Sequence, residues 1–193
     1  MAERPRVVLL GDSIRLGYGP LVADRLARRA DVTGPRRNCG ASNRLLKHLE
    51  HWALGAAPSL VHFNCGLHDV RRFRAAGHCH VDVARYEANL REIVDRIRQE
   101  TAAALVFATT TPVIDERHAR RGLAFTRFET DVQRYNEVAV QVMHDAGVPV
   151  NDLHAVLAAR GPEHLVHHDG THLTRAGYEI CAEAVTAAIE QQL

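Results

Sequence analysis

Short apolar runs punctuate the chain, separated by longer stretches whose apolar positions recur every three to four residues. The clearest runs are Val7–Leu10, Leu60–Phe63 and Leu105–Ala108, with a weaker one at Val148–Asn151 and a short edge strand expected at Asp31–Thr33. Val7-Val8-Leu9-Leu10 shows no polar alternation, the pattern of a parallel strand covered on both faces. Between the runs, Leu21–Arg29 carries Leu21, Val22 and Leu26 at helical spacing. Ser42 stands where it would cap a helix running through Leu45, Leu46, Leu49 and Trp52. Tyr86, Leu90, Ile93, Val94 and Ile97 form the stripe of one long helix, and Phe128, Val132, Tyr135, Val138, Ala139 and Val142 that of another. Thr174 precedes a final helix through Tyr178, Cys181, Val185 and Ile189. Strands alternating with helices predict an α/β layered fold with a mainly parallel sheet. No repeat, low-complexity tract or linker interrupts the pattern, so residues 1–193 read as one domain.

Composition changes this picture little. Apolar residues make up 46% and charged residues 24% of the 193 positions, ordinary values for a globular chain. A net charge of +1 gives no reason to expect a nucleic-acid or membrane-surface partner. The start, Met1-Ala2-Glu3-Arg4-Pro5, lacks an export signal, and no run of 18 apolar residues occurs. Cys39, Cys65, Cys79 and Cys181 have no CxxC spacing and are expected as reduced thiols in a cytoplasmic protein. Of thirteen histidines, the densest groups are His78-Cys79-His80 and His167-His168. Neither comes with a third and fourth ligand at familiar spacing, so neither a metal nor another cofactor is expected.

The candidate chemistry starts at the end of the first run. In "VVLLGDSIRLGYG" a buried strand stops at Gly11-Asp12-Ser13 and helical spacing follows. Ligands of open parallel sheets bind beyond the carboxyl ends of the strands, where Ser13 stands. Nearby backbone N–H groups favour developing negative charge there, although serine in this place is also an ordinary helix cap. Other motifs fail. No Gly-Lys-Ser/Thr triplet forms a P-loop, Gly17-Tyr18-Gly19 lacks a third glycine, and Arg15 stands where a G-x-S-x-G elbow needs glycine. A nucleophilic serine needs a base from elsewhere, and "HHDGTHLTRAGY" supplies one: Asp169 lies three residues before His172.

Together these blocks resemble the SGNH (GDSL-type) hydrolases. The resemblance runs in order through Gly11-Asp12-Ser13-Ile14, Gly40 in "NCGAS", Gly66-Leu67-His68-Asp69, the segment Thr109–Pro112 and Asp169-x-x-His172. It implies a three-layer α/β/α sandwich with a flavodoxin-like sheet. It implies Ser13 as nucleophile, His172 as general base and then acid, and Asp169 as the group orienting His172. The oxyanion hole would use the N–H groups of Ser13 and Gly40. Its third donor is usually an asparagine, but this chain has His68; neutral imidazole can donate one hydrogen bond. Asn64 is the alternative donor, and a weaker hole the third possibility. Gly40 also suits the role because a residue without Cβ allows close approach to the reacting carbonyl.

The resemblance points to a serine esterase acting on a small-molecule ester, with small acyl groups on a polar alcohol such as a carbohydrate. Lysophospholipase or thioesterase activity is an alternative within the same chemistry. A catalytically silent binder of acylated sugars is another, kept open by His68. A signalling domain of the same topology would want an aspartate after the third strand, where Asn64 and Cys65 stand. Arg36, Arg37, Arg71, Arg72 and Arg74 are expected to flank the site edge, either as a solvated face or toward an anionic or sugar substrate. Asp12 and Asp69 are expected to brace their turns. Trp52 is expected to serve packing, and the polar segment 114–124 to loop over the sheet edge.

Overall fold

Uninterrupted burial shapes the first strand: Val7 through Leu10 of β1 (Arg6–Leu10) are at most 2% exposed. The computed structural model describes residues 4–73 and 75–193, so Arg74 and the first three residues lie outside the described part. After β1 come α1 (Ser13–Leu26), β2 (Asp31–Thr33), α2 (Ser42–Lys47), α3 (Leu49–Trp52) and β3 (Leu60–Phe63). These lead into β4 (Arg72–Phe73), α4 (Val83–Glu100), β5 (Ala104–Ala108), α5 (Asp115–Ala119), β6 (Phe125–Thr126) and α6 (Glu129–Asp145). The chain finishes with β7 (Val150–Asn151), α7 (Leu153–Ala158), α8 (Pro162–Leu165) and α9 (Arg175–Glu190).

Five strands form one parallel sheet in the order β2-β1-β3-β5-β7, with Val7 opposite Leu60 and Leu60 opposite Ala104. This is the flavodoxin order, and its topological switch lies between β1 and β3. Helix α9 packs against α1 and α7, while α4 packs against α2 and α6. The result is a three-layer α/β/α sandwich. Phe63 and Phe107 meet edge to face at 5.2 Å in its centre, a favourable aromatic geometry. The long stripes bury as their spacing predicts, Tyr86, Leu90, Ile93 and Ile97 on α4 and Val132, Tyr135, Ala139 and Val142 on α6, except that Phe128 precedes α6 and is exposed.

Three local expectations are corrected. The helical spacing after Gly11-Asp12-Ser13 and the stretch at Leu21–Arg29 are not separate but one helix, α1, which runs from Ser13 through Pro20 to Leu26. Ile14, Tyr18, Val22 and Leu26 stay buried at four-residue spacing on both sides of the exposed proline, so packing carries the helix across it. Ser42 does not cap α2. Its backbone N–H and hydroxyl both donate to Asp69, and the helix breaks at His48 into α2 and α3. Segment 114–124 contains α5, and the next residues pair antiparallel with β4 as a two-stranded ribbon beside the main sheet.

Candidate active site

The turn after β1 is built to present Ser13. A Cβ on Gly11 would fall 2.0 Å from the Asn64 amide oxygen, so only glycine fits between β1 and the loop after β3. Asp12, 1% exposed, caps α1 by accepting from the Ile14 N–H at 2.9 Å, which is the bracing role expected of it. Burial raises its carboxyl, against hydrogen bonds from Ile14 and Asn64 that lower it. Ser13 is therefore the first residue of α1, half-buried at the switch point, where backbone N–H groups have no helical partner.

The loop before α9 brings the other two side chains to it. Ser13 Oγ lies 2.9 Å from His172 Nε2, and His172 Nδ1 lies 2.6 Å from Asp169 Oδ2. Asp169 Oδ1 accepts from the backbone N–H groups of Thr171 and His172, each at 2.9 Å. Burial alone would raise the Asp169 carboxyl, but the His172 hydrogen bond and these two N–H donors outweigh it. They hold the carboxyl well below the usual carboxylate range. An ionised Asp169 fixes the proton on His172 Nδ1 and leaves Nε2 as an acceptor toward Ser13. Thr174, which precedes α9 as the sequence reading has it, caps that helix by accepting from the Gly177 N–H, which anchors the loop.

Gly40 has φ +76°, a left-handed conformation that suits glycine. Its N–H is not free. It donates to Asn38 Oδ1 at 2.8 Å. That bond fixes the Asn38 amide and turns its Nδ2 to His68 Nε2 at 3.2 Å. Nε2 is then the acceptor, and the neutral ring carries its proton on Nδ1. Burial, reinforced by Arg71 and Arg127, pushes His68 down to about 3, so the ring stays neutral. His68 and Asn38 line the same cleft as Ser13 and His172; Asn64, the alternative donor, does not. The Gly40 loop is tied down from behind. Cys39 N–H donates to Gly11 O at 2.8 Å, Arg15 Nη2 donates to Arg37 O at 2.9 Å, and Asp69 grips Ser42. Thr109–Pro112 holds the loop after β3, which carries His68: Thr110 hydroxyl donates to Cys65 O, and a Cβ on Gly66 would meet it at 2.1 Å.

The cleft measures about 340 Å³, within the range of small-ligand sites. Its walls are Ser13, Asn38, His68, Arg71, Arg121, Leu123, Phe125, Arg127, Thr171 and His172. Segment 114–124 thus supplies a wall, docked through Ile114 N–H to Gly170 O at 2.9 Å. Not all the arginines gather here. Arg36 and Arg37 line a separate cleft with His51 and Trp52, and Arg72 is paired with Asp131 at 2.8 Å. Asn38, Arg121 and Arg127 escape sequence reading, because no short motif ties them to Ser13. The nearest signal is the N-x-G spacing of Asn38 and Gly40, which fits an Asx turn. Trp52 is half-buried beneath His48 and Arg44. Cys39, Cys65, Cys79 and Cys181 are all buried and unpaired. Among the described residues no group of three or more His, Cys, Asp or Glu is placed to hold a metal ion, and no helix is long and apolar enough to cross a membrane.

Fold and site together define the class as an ester hydrolase of the SGNH type. A model of the GDSL-like lipase/acylhydrolase family matches residues 9–180, and the chain belongs to that family. An isoamyl acetate-hydrolyzing esterase 1 homolog from Rattus norvegicus is 28% identical over 91% of this chain and 77% of its own length. A lipase/acylhydrolase from Enterococcus faecalis has the same fold, with a TM-score of 0.83 at 23% identity over 99% of this chain and 97% of that one. An acetylxylan esterase from Geobacillus stearothermophilus superposes with a TM-score of 0.77 at 19% identity, covering 96% of this chain and 94% of that one.

Proposed function

We propose that residues 1–193 form one catalytic domain that hydrolyses carboxylic esters through an acyl-enzyme on Ser13. The observation that carries this reading is the series of short contacts from Ser13 Oγ to His172 Nε2, and from His172 Nδ1 to Asp169. His172 takes the serine proton as Oγ attacks the acyl carbonyl, and Asp169 stabilises the imidazolium that forms. The tetrahedral oxyanion is held by the Ser13 and Gly40 N–H groups, with His68 as the third donor. A bound carbonyl oxygen competes with Asn38 Oδ1 for the Gly40 N–H, so Asn38 keeps that donor aligned until substrate arrives. His172 returns its proton to the leaving alcohol. It then activates a water that releases the acid and frees Ser13.

The favoured substrate has a small acyl group, acetyl above all, on a polar alcohol such as a carbohydrate. Support comes from the modest size of the cleft and from its lining residues, among which Leu123 and Phe125 are the two apolar side chains offered to an acyl chain. The names of similar proteins, an isoamyl acetate-hydrolyzing esterase and an acetylxylan esterase, point the same way. The test is a panel of 4-nitrophenyl esters of increasing chain length, run beside Ser13→Ala. An acetate optimum that vanishes in the variant is expected. A long-chain optimum overturns the small-acyl assignment, and undiminished turnover in Ser13→Ala overturns the mechanism.

A further inference from the structure

Three guanidinium groups converge on the cleft, and none of the residues lining it is a carboxylate. Arg127 is 4% exposed, so it is no solvated surface charge. Its Nε donates to Leu67 O at 2.6 Å and its Nη1 sits 3.0 Å from His118 Nε2. Arg71 is half-buried, and its buried Nε has no hydrogen-bond partner among the described residues. The Arg71 and Arg127 guanidinium carbons lie 4.8 and 5.0 Å from the centroid of the Phe125 ring, which fixes both in place. Arg121 lies 3.9 Å from Asp169, its one carboxylate neighbour among the described residues, and that carboxylate is already engaged by His172. Among the described residues, neither Arg71 nor Arg127 has a carboxylate within ion-pairing distance.

Gathering like charges in a part-buried cleft is unfavourable. Burial lowers Arg127 to about 10, with the Arg71 charge adding to it. His68 is neutral and relieves none of this, while Asp12 and Asp69, behind the cleft and bound to Ile14 and Ser42, and Asp169, bound to His172, offset only part of it. An oxyanion entering the cleft would remove the repulsion and satisfy the unpaired donors, and planar guanidinium groups suit carboxylate and phosphate oxygens.

We propose that the ester hydrolysed here carries an oxyanion of its own, a carboxylate or phosphate, bound by Arg71 with Arg121 and Arg127. This deepens the esterase reading and rests on it. The anion belongs to the acyl side or the alcohol side of the scissile bond, and matched ester pairs separate the two. For the alcohol side, 4-acetoxybenzoate and 4-acetoxyphenyl phosphate are compared with methyl 4-acetoxybenzoate. For the acyl side, 4-nitrophenyl hemisuccinate is compared with its methyl ester.

The expected result is a kcat/KM for at least one charged ester about tenfold or more above its neutral twin, as for a charged hydrogen bond. The gain lies mainly in KM, and it shrinks as salt is added. In Arg71→Gln the charged-to-neutral ratio collapses toward one. Should that variant not fold, Arg121→Gln, at an exposed position, is expected to lower the same ratio severalfold. Charged esters that do no better than their neutral twins, while Ser13-dependent hydrolysis of the neutral esters persists, overturn this proposal and leave the esterase reading standing. A ratio unmoved in both arginine variants overturns it as well. Hydrolysis of neither twin, with no Ser13-dependent turnover of any ester, overturns both.

Discussion

His68 is the residue where this chain departs from the pattern it otherwise follows, and its surroundings show how the departure is accommodated. Neutral imidazole donates once and accepts once, and Asn38 occupies the acceptor. In the proposed mechanism the Nδ1 proton is what His68 gives to the oxyanion. His68→Ala is expected to lower kcat at least tenfold, and His68→Asn, which restores an amide donor, to retain more activity; steady-state kinetics on an aryl acetate reads both. Asp169→Asn is expected to lower kcat by roughly 10²–10⁴-fold with little change in KM, because the amide no longer fixes the His172 tautomer. The legibility of the site follows from spacing. Asp169 and His172 are three residues apart, and Gly11-Asp12-Ser13 is contiguous, so local pattern finds them. Asn38, Arg121 and Arg127 meet Ser13 only through the folding of three separate loops.

The loops after β1, β2 and β3 act as one unit because each is tied to another. Asp69 is central to this. It is fully buried and accepts from the Ser42 N–H at 2.9 Å and the Ser42 hydroxyl at 2.5 Å. Asn89 in α4 donates to the same hydroxyl at 2.9 Å. Asp69→Ala leaves buried donors without an acceptor, an expected loss of roughly 1–3 kcal/mol. Because the Gly40 loop precedes Ser42, kcat is expected to fall with it; chemical denaturation and turnover of one preparation check the pair. A loss of stability with kcat intact contradicts the positioning role. At this scale the sequence was readable where periodicity and packing agree, as in β1, α4, α6 and α9. It misled where a side chain had a partner far along the chain. Ser42 looks like a cap until Asp69 claims its hydroxyl.

Across the whole molecule, the parallel sheet sets both the site and the pH response of the fold. His62 lies in β3 with no exposure, its Nδ1 lacks a partner among the described residues, and burial lowers it from 6.5 to about 4. The unfolded chain takes up a proton where the folded chain does not, so this contribution is complete above about pH 6.5 and is lost toward pH 4. Asp69, raised by burial to about 7, works in the opposite sense over an overlapping range. The informative quantity is therefore the stability of His62→Leu relative to wild type at each pH. It is expected to rise in favour of the variant by up to about 3 kcal/mol between pH 7 and pH 4, and a constant difference contradicts the assignment. The fold class was legible from alternating strands and helices alone, whereas the β4–β6 ribbon, built from two residues on each side, left no periodic trace. The central claim is that Ser13 is an activated nucleophile, and covalent trapping tests it most directly. A fluorophosphonate incubated with the native protein and located by mass spectrometry is expected to form one adduct, on the peptide containing Ser13, with none in Ser13→Ala and sharply slowed labelling in His172→Ala. An unmodified Ser13 in folded protein, or labelling at the same rate without His172, contradicts the account.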